Sequence, residues 1–182
     1  MVRSAIRDVD EFWQLTTKPR TADTRLSTVP VVVISRDTLR RFFREVRATL
    51  GPAADDLLYR SGLEAGDAFV GTMARWTGSQ DPMEIVDHLG DVYSRCGWFA
   101  VSSIEVDPES RQARLRLTRT LETYGQEGTW DRPACHFLSG YFAGFFRALF
   151  WAEGISCIET TCRGKGDSVC EFVLRTSASA GP

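Results

Sequence analysis

The sequence predicts an α/β chain in which helices pack on one antiparallel sheet. Two hairpins and an aromatic helix between them carry that prediction. Trp98–Val106 (WFAVSSIEV) and Ala113–Leu121 (ARLRLTRTL) alternate along their length and flank the turn Asp107-Pro108-Glu109-Ser110-Arg111. Ile155–Arg163 and Ser168–Thr176 read as a second strand pair around the glycine-bearing turn Arg163-Gly164-Lys165-Gly166-Asp167. Between them Pro133 to about Ala152 reads as a helix, and three more apolar-periodic helices precede the first hairpin.

Taken in order, Met1–Ser27 has no apolar signal-peptide core, which predicts a cytoplasmic protein. Asp8–Leu15 fits a short helix that Thr16-Thr17-Lys18-Pro19-Arg20-Thr21 breaks. Residues 1–28 are therefore expected to be an extension that either docks on its own domain or reaches a partner. The domain itself is expected over 29–176, with 177–182 as a disordered tail. Val29–Ser35 (VPVVVIS) reads as a strand. Asp37 is placed to cap a helix through about Leu50, with Leu39, Phe42, Phe43 and Val46 on one face. After Gly51-Pro52, a helix from about Ala53 to Trp76 carries Gly62 and Gly66, which imply close packing on another element. Asp81-Pro82 opens a helix to about Cys96 with the stripe Ile85, Val86, Leu89, Val92 and Tyr93; Gly97 ends it, and His88 is expected at its surface or edge. In the first hairpin Ala113, Leu115 and Leu117 share the inward face, and Arg114, Arg116 and Thr118 the solvated one.

The helix from Pro133 bears seven aromatic residues: Phe137, Tyr141, Phe142, Phe145, Phe146, Phe150 and Trp151. Its length nears a membrane span, but His136, Arg147, two glycines and the strands that follow argue against one. A small, partly polar stripe (His136, Gly140, Ala143, Arg147, with Ser139 and Gly144 beside it) lies opposite the aromatics. Either the aromatics fill the core and the glycines permit close packing, or the helix walls an apolar cavity with His136, Ser139 or Tyr141 as its polar groups.

Four residues around this helix and the second hairpin have the chemistry of a metal site. The hairpin brings Cys162 near Cys170, Glu159 lies further from the turn on the same strand, and Cys135 falls in the first turn of the helix, where Pro133 fits the opening position. A helix N-terminus favours the metal-binding thiolate. Three thiolates and one carboxylate form a closed set suited to structural zinc; an iron–sulfur cluster would ordinarily take four thiolates. On spacing alone, buried cysteines of the core fit equally well. Cys96 and Cys157 lack ligand spacing and read as core. Five cysteines, an odd count, do not suit an oxidised disulfide scaffold.

The runs Cys135-His136-Phe137-Leu138-x-Gly140-Tyr141-x-x-Gly144 and Glu159-x-x-Cys162-x-x-x-Gly166-Asp167-x-x-Cys170 resemble the 4-vinyl reductase-type domain. That domain occurs in the sensory module of phenol- and xylene-responsive activators and in a bacteriochlorophyll-synthesis protein. Its fold, the NO-signalling and Golgi-transport ligand-binding type, is shared with TRAPP tethering subunits. The resemblance extends more weakly from about Val29 to Arg175. It implies zinc held by Cys135, Glu159, Cys162 and Cys170, a homodimer, and a cavity that Trp130 and Tyr124 could border.

Composition agrees with one globular domain: 182 residues, 43% hydrophobic and 25% charged. A net charge of −2 lacks the basic footprint of a nucleic-acid binder. Three functions follow as expectations. One is a zinc-stabilised module binding an apolar, aromatic or tetrapyrrole-like molecule as sensor, carrier or pigment-intermediate chaperone. The phenol sensors continue into an ATPase and a DNA-binding domain; this sequence ends at Pro182, so a separate partner is expected to supply any output. An assembly or tethering subunit is the second. Participation in vinyl reduction is the third, and an enzyme is the weaker expectation: no GxGxxG follows a strand, and two histidines offer no visible nucleophile–base pairing.

Overall fold

The computed structural model describes residues 15–18, 21–26 and 29–176. An N-terminal hairpin, β1 (Leu15–Lys18) and β2 (Asp23–Leu26), leads through β3 (Val29–Pro30) into three helices, α1 (Arg36–Leu50), α2 (Ala53–Thr77) and α3 (Pro82–Cys96). Strands β4 (Phe99–Asp107) and β5 (Gln112–Thr120), helix α4 (His136–Phe150), and strands β6 (Ile155–Thr161) and β7 (Cys170–Thr176) follow. The main sheet is wholly antiparallel in the order β4-β5-β7-β6. The predicted fold class therefore holds.

The inward face of the sheet follows from the alternation of β5, where Ala113, Leu115 and Leu117 are buried and Arg114 is exposed. Phe172 and Leu174 of β7 continue that face, and α4 lies on it: Phe142 meets Phe99 and Phe172 edge-on at 5.3 and 5.0 Å between ring centroids. The other side of α4 packs on α2, and here glycine decides the geometry. A Cβ on Gly62 or Gly66 would stand 2.0 Å from the carbonyl oxygens of Phe137 and Tyr141, and one on Gly140 or Gly144 would stand 1.8 or 1.9 Å from those of Tyr59 and Leu63. Two Gly-x-x-x-Gly stripes thus face each other and the backbones touch. The glycines of the small stripe thus serve close packing on α2.

The structure departs from the sequence reading in several places. The expected helix at Asp8–Leu15 lies almost wholly outside the described residues. Thr16-Thr17-Lys18 is not a break but part of β1, paired with β2. Among the described residues only Val29–Pro30 of the expected Val29–Ser35 strand is in a strand pairing; after Val31 N–H donates to Thr24 O at 2.9 Å, Val32 and Val33 lie 88% and 75% exposed. Strand propensity needs a neighbouring strand to take up the backbone groups, and here the chain turns into α1 instead. The cap of α1 is Ser35, whose Oγ accepts from Thr38 N–H, and not Asp37. Phe42 is exposed where Phe43 is buried. Cys135 is the N-cap of α4, one step before its first turn, and Cys96 is exposed at the end of α3. Among the described residues no helix is long and apolar enough to cross a membrane.

The α2–α4 contact gives a direct test. Gly140→Ala drives a methyl into backbone rather than into a movable side chain, and should cost about 3 kcal/mol or more in urea denaturation. Gly71→Ala on the same α2, with only the Arg75 guanidinium at 3.5 Å, should be neutral or stabilise by up to about 1 kcal/mol.

Candidate metal centre

Cys135, Glu159, Cys162 and Cys170 converge, all buried, with one candidate ligand atom from each lying within 4.8 Å of the others. The N-cap of α4 supplies Cys135, edge strand β6 supplies Glu159, and the two ends of the turn between β6 and β7 supply Cys162 and Cys170. A short 3-10 turn (Arg163–Lys165) and Gly166, with φ at 101°, fold the chain back tightly enough for the two thiols to meet. Asp167 fixes that turn by accepting from Cys162 N–H at 2.8 Å.

The donor set fits a tetrahedral ion. Cys135 Sγ and Cys170 Sγ are 3.9 Å apart. Metal–sulfur bonds of about 2.3 Å give a tetrahedral edge of about 3.8 Å. Glu159 Oε2 accepts from Cys135 N–H at 2.9 Å, and its Oε1 is buried with no hydrogen-bond partner among the described residues. A buried carboxylate oxygen left unpaired is costly, and a cation among the sulfurs would satisfy it. Two further groups favour charged sulfur: Arg163 N–H lies 3.2 Å from Cys170 Sγ, and Thr120 Oγ1 lies 3.4 Å from Cys135 Sγ.

A strap from β5 to α4 closes the site from above. Gly128 N–H donates to Arg163 O at 3.1 Å and Trp130 N–H to Gly164 O at 2.9 Å, so residues 128–130 lie against the metal-binding turn. Gly164 has to be glycine for this, since a Cβ there would fall 2.9 Å from Trp130 Cδ1 and 3.2 Å from Cys162 Sγ. Glu122, fully buried in the strap, accepts from Phe137 N–H at 3.1 Å and Leu138 N–H at 2.9 Å and pairs with Arg47 at 3.1 Å. Neither Glu122 nor Arg47 stood out in the sequence. One sits in a connection, the other on an arginine-rich helix, and nothing local links two residues 75 positions apart.

The other sequence candidates are scattered. Tyr141 lies in an aromatic enclosure, its ring centroid 5.5 Å from those of Tyr93 and Trp98, and its hydroxyl meets that of Tyr93. His136 is half-buried and faces Asp55 at 3.2 Å. Ser139 Oγ donates back to Cys135 O within the helix. Trp130 lies under the Arg47 guanidinium, and Tyr124, exposed, lies under that of Arg36. A groove of about 790 Å³ opens elsewhere, between α2 and the end of α4, lined in part by Val70, Ala74, Ile85, Leu149 and Trp151; Tyr141, His136, Ser139, Trp130 and Tyr124 are not part of it. Cys157 is buried, as read from the sequence, and His88, expected at the surface or edge, lies half-buried against Trp76.

The family model of the 4-vinyl reductase domain matches residues 122–176, the segment that holds all four candidate ligands and Glu122. No curated protein matches the chain by sequence. Among solved structures, the phenol-responsive sensory domain of the transcription activator PoxR, with phenol, superposes with a TM-score of 0.74 at 16% identity, over 89% of this chain and 84% of that one. A trafficking protein particle complex subunit 3 from Naegleria fowleri, covalently bound to palmitic acid, gives 0.56 at 10% identity, over 79% and 95%. A vinyl-4-reductase family protein from Methanocaldococcus jannaschii gives 0.53 at 15%, over 81% and 85%. These likenesses establish a common fold.

The protonation of the cluster sets a pH dependence. Hydrogen bonds from the Cys135 and Cys170 thiols hold Cys162 well below the usual thiol range. Burial pushes Cys135 well up and raises Glu159 to about 8. For Cys170, the bond to Cys135 pulls down, but the bond to Cys162 and burial outweigh it and the thiol ends raised. Near neutral pH the metal-free cluster therefore holds protons on Cys135, Cys170 and Glu159, and a divalent cation should displace about three of them. Calorimetry in buffers of different ionisation enthalpy would count them, and affinity should weaken as the solution is acidified. Metal-free protein should behave oppositely. The folded state holds Glu159 above its ordinary 4.5 and Glu122 at about 7, so their stabilisation is complete below about 4.5 and is lost as pH rises towards 8. Cys162, held low, gains stability over the same range, so the two carboxyls outweigh it only up to about 7, and the melting temperature should fall between about 4.5 and 7.

Proposed function

We propose that the protein is a zinc-stabilised module that binds an apolar small molecule, aromatic or tetrapyrrole-like, and serves as a sensor, a carrier or a chaperone for a pigment intermediate. The observation that carries this reading is the aromatic enclosure on α4, the helix whose N-terminus the metal centre fixes. The rings of Phe69, Tyr93, Trp98 and Phe137 pack around Tyr141 with centroids 5.5–6.5 Å from its own, and the hydroxyls of Tyr93 and Tyr141 are polar groups inside that apolar cluster. Apolar lining with a few fixed polar groups is what a small aromatic ligand needs. The likeness to the PoxR domain, solved with phenol, supports the same reading.

Zinc is the metal that three thiolates and a carboxylate in a closed tetrahedral set suit, and its role here would be structural, leaving no position open for a substrate. It would join α4 to the β6–β7 hairpin and so set one wall of the enclosure. A second reading, an assembly or tethering subunit or a homodimer, draws on a different observation: Val32, Val33 and Ile34 are exposed in succession, with Phe42 exposed on α1.

Native mass spectrometry of freshly purified protein tests these together. One zinc per chain with an added organic mass is expected; a monomer that carries zinc but takes up no aromatic compound at any concentration would count against the binding module. Cys162→Ser should abolish zinc retention and forfeit folding free energy on the order of 10 kcal/mol. An unchanged melting temperature in that variant would remove the structural role. Tyr141→Phe should leave the Tyr93 hydroxyl unpaired and cost about 1–3 kcal/mol in the ligand-free protein.

A further inference from the structure

We infer that Arg47 and Glu122 are positioning residues of the metal centre: together they lock the first turn of α4 so that Cys135 is held in ligating position. The inference rests on the metal reading above and goes beyond its four ligands.

A helix N-terminus exposes N–H groups that have no partner within the helix. In α4 two carboxylates accept from three of the N–H groups at this end. Glu159 takes the N–H of Cys135, and Glu122 takes those of Phe137 and Leu138, one with each oxygen. The first turn is therefore gripped by two carboxylates from two directions, β6 below and the strap above. Ser139 N–H donating to Cys135 O at 2.9 Å begins the helix proper, so the ligand's own peptide sits between these anchors.

Glu122 cannot do this alone. Its side chain is wholly inaccessible, and an unpaired buried charge is strongly unfavourable. Arg47 answers that charge. One guanidinium nitrogen donates to Glu122 Oε1 at 3.1 Å and to the carbonyl of Ala134, the residue immediately before Cys135, at 2.6 Å. The same guanidinium lies 5.1 Å from the Trp130 ring centroid and 5.8 Å from that of Phe43. Arg47 thus touches both sides of the Cys135 peptide: Ala134 directly, and Phe137 and Leu138 through Glu122. Outer groups that orient a ligand typically change metal affinity by about 10–100-fold when removed.

The experiment is zinc release from the full chain to a chelating chromophore, followed for the unaltered protein and its variants. Arg47→Met keeps an apolar stem but removes the charge and its donors; Glu122→Ala removes both acceptors. Both should release zinc about 10–100-fold faster. Arg47→Lys, which restores the charge and a donor but not the planar contact with Trp130 and Phe43, should release zinc at a rate between those of Arg47→Met and the unaltered protein. Leu89→Ala is the control: it truncates a fully buried side chain on α3, an element that supplies none of the ligands or their partners, and should lower the melting temperature without faster release. Should Arg47→Met fail to fold, Glu122→Gln, which keeps an acceptor for one amide only, should give an intermediate acceleration. Release at the unaltered rate from Arg47→Met and Glu122→Ala, or equally fast release from Leu89→Ala, would overturn the inference. An unaltered protein that takes up no zinc sinks the metal reading itself, and that result is obtained before any variant is made.

Discussion

Direct contact between the backbones of α2 and α4 is the constraint on which the rest of the structure depends. Four glycines, Gly62 and Gly66 against Gly140 and Gly144, bring carbonyls of each helix to where the other's side chains would stand. With one face of α4 so close to α2, its aromatic residues divide between the sheet and the sides of α1 and α3. Phe142 goes to the sheet, against Phe99 and Phe172, and Tyr141 goes to the Tyr93–Trp98 side. Both the apolar core and the candidate enclosure thus follow from one crossing. The metal centre completes it at the helix start, where glycine packing gives way to buried polar groups.

Those polar groups explain why the start of α4 needs such support. Three thiolates and the Glu159 carboxylate around a divalent ion leave a net charge of about −2 in a buried place. Glu122 adds another carboxylate nearby. The compensation comes from the helix N-terminus, from the N–H of Arg163 directed at Cys170, and from the guanidinium of Arg47. Each compensating group belongs to a different element: α4, the β6–β7 turn and α1. With an ion bound, the proposed centre would join the β6–β7 turn, the strap, α4 and α1 at one point.

Much of this was legible in the sequence because it is local. The spacing of Glu159, Cys162 and Cys170 encodes a strand, a turn and a strand, and the structure brings those side chains together with Cys135. Gly62 and Gly66 mark a close approach because glycine inside a helix is otherwise unfavourable. What was not legible is what depends on distant partners. Arg47 looks like one of several arginines on α1 until Glu122 is placed against it. Val32 to Ile34 has the composition of a strand but pairs with no strand among the described residues. Cys96 has the chemistry of a core residue, yet it ends a helix facing solvent. The positions of Tyr124 and Trp130 under Arg36 and Arg47 could not be read from a connecting segment without regular periodicity.

The shared helix also links the two parts of the proposed function thermodynamically. Metal at Cys135 favours one placement of the first turn of α4, and Tyr141 lies on the same helix within two turns of that anchor. A ligand that contacts Tyr141 in that placement, and not in a frayed one, gains from the metal. By reciprocity the metal is then held more tightly by the same factor when the ligand is present. Coupling of this kind requires a rigid connection between the sites. The glycine crossing provides one: Tyr141 contributes the carbonyl packed on Gly66, and Phe137 the one packed on Gly62, so neither residue can shift without moving the helix pair. On the proposed reading, a structural ion and a bound small molecule on one such helix would form one mechanical unit, with Arg47 and Glu122 at the end where the ion would be held.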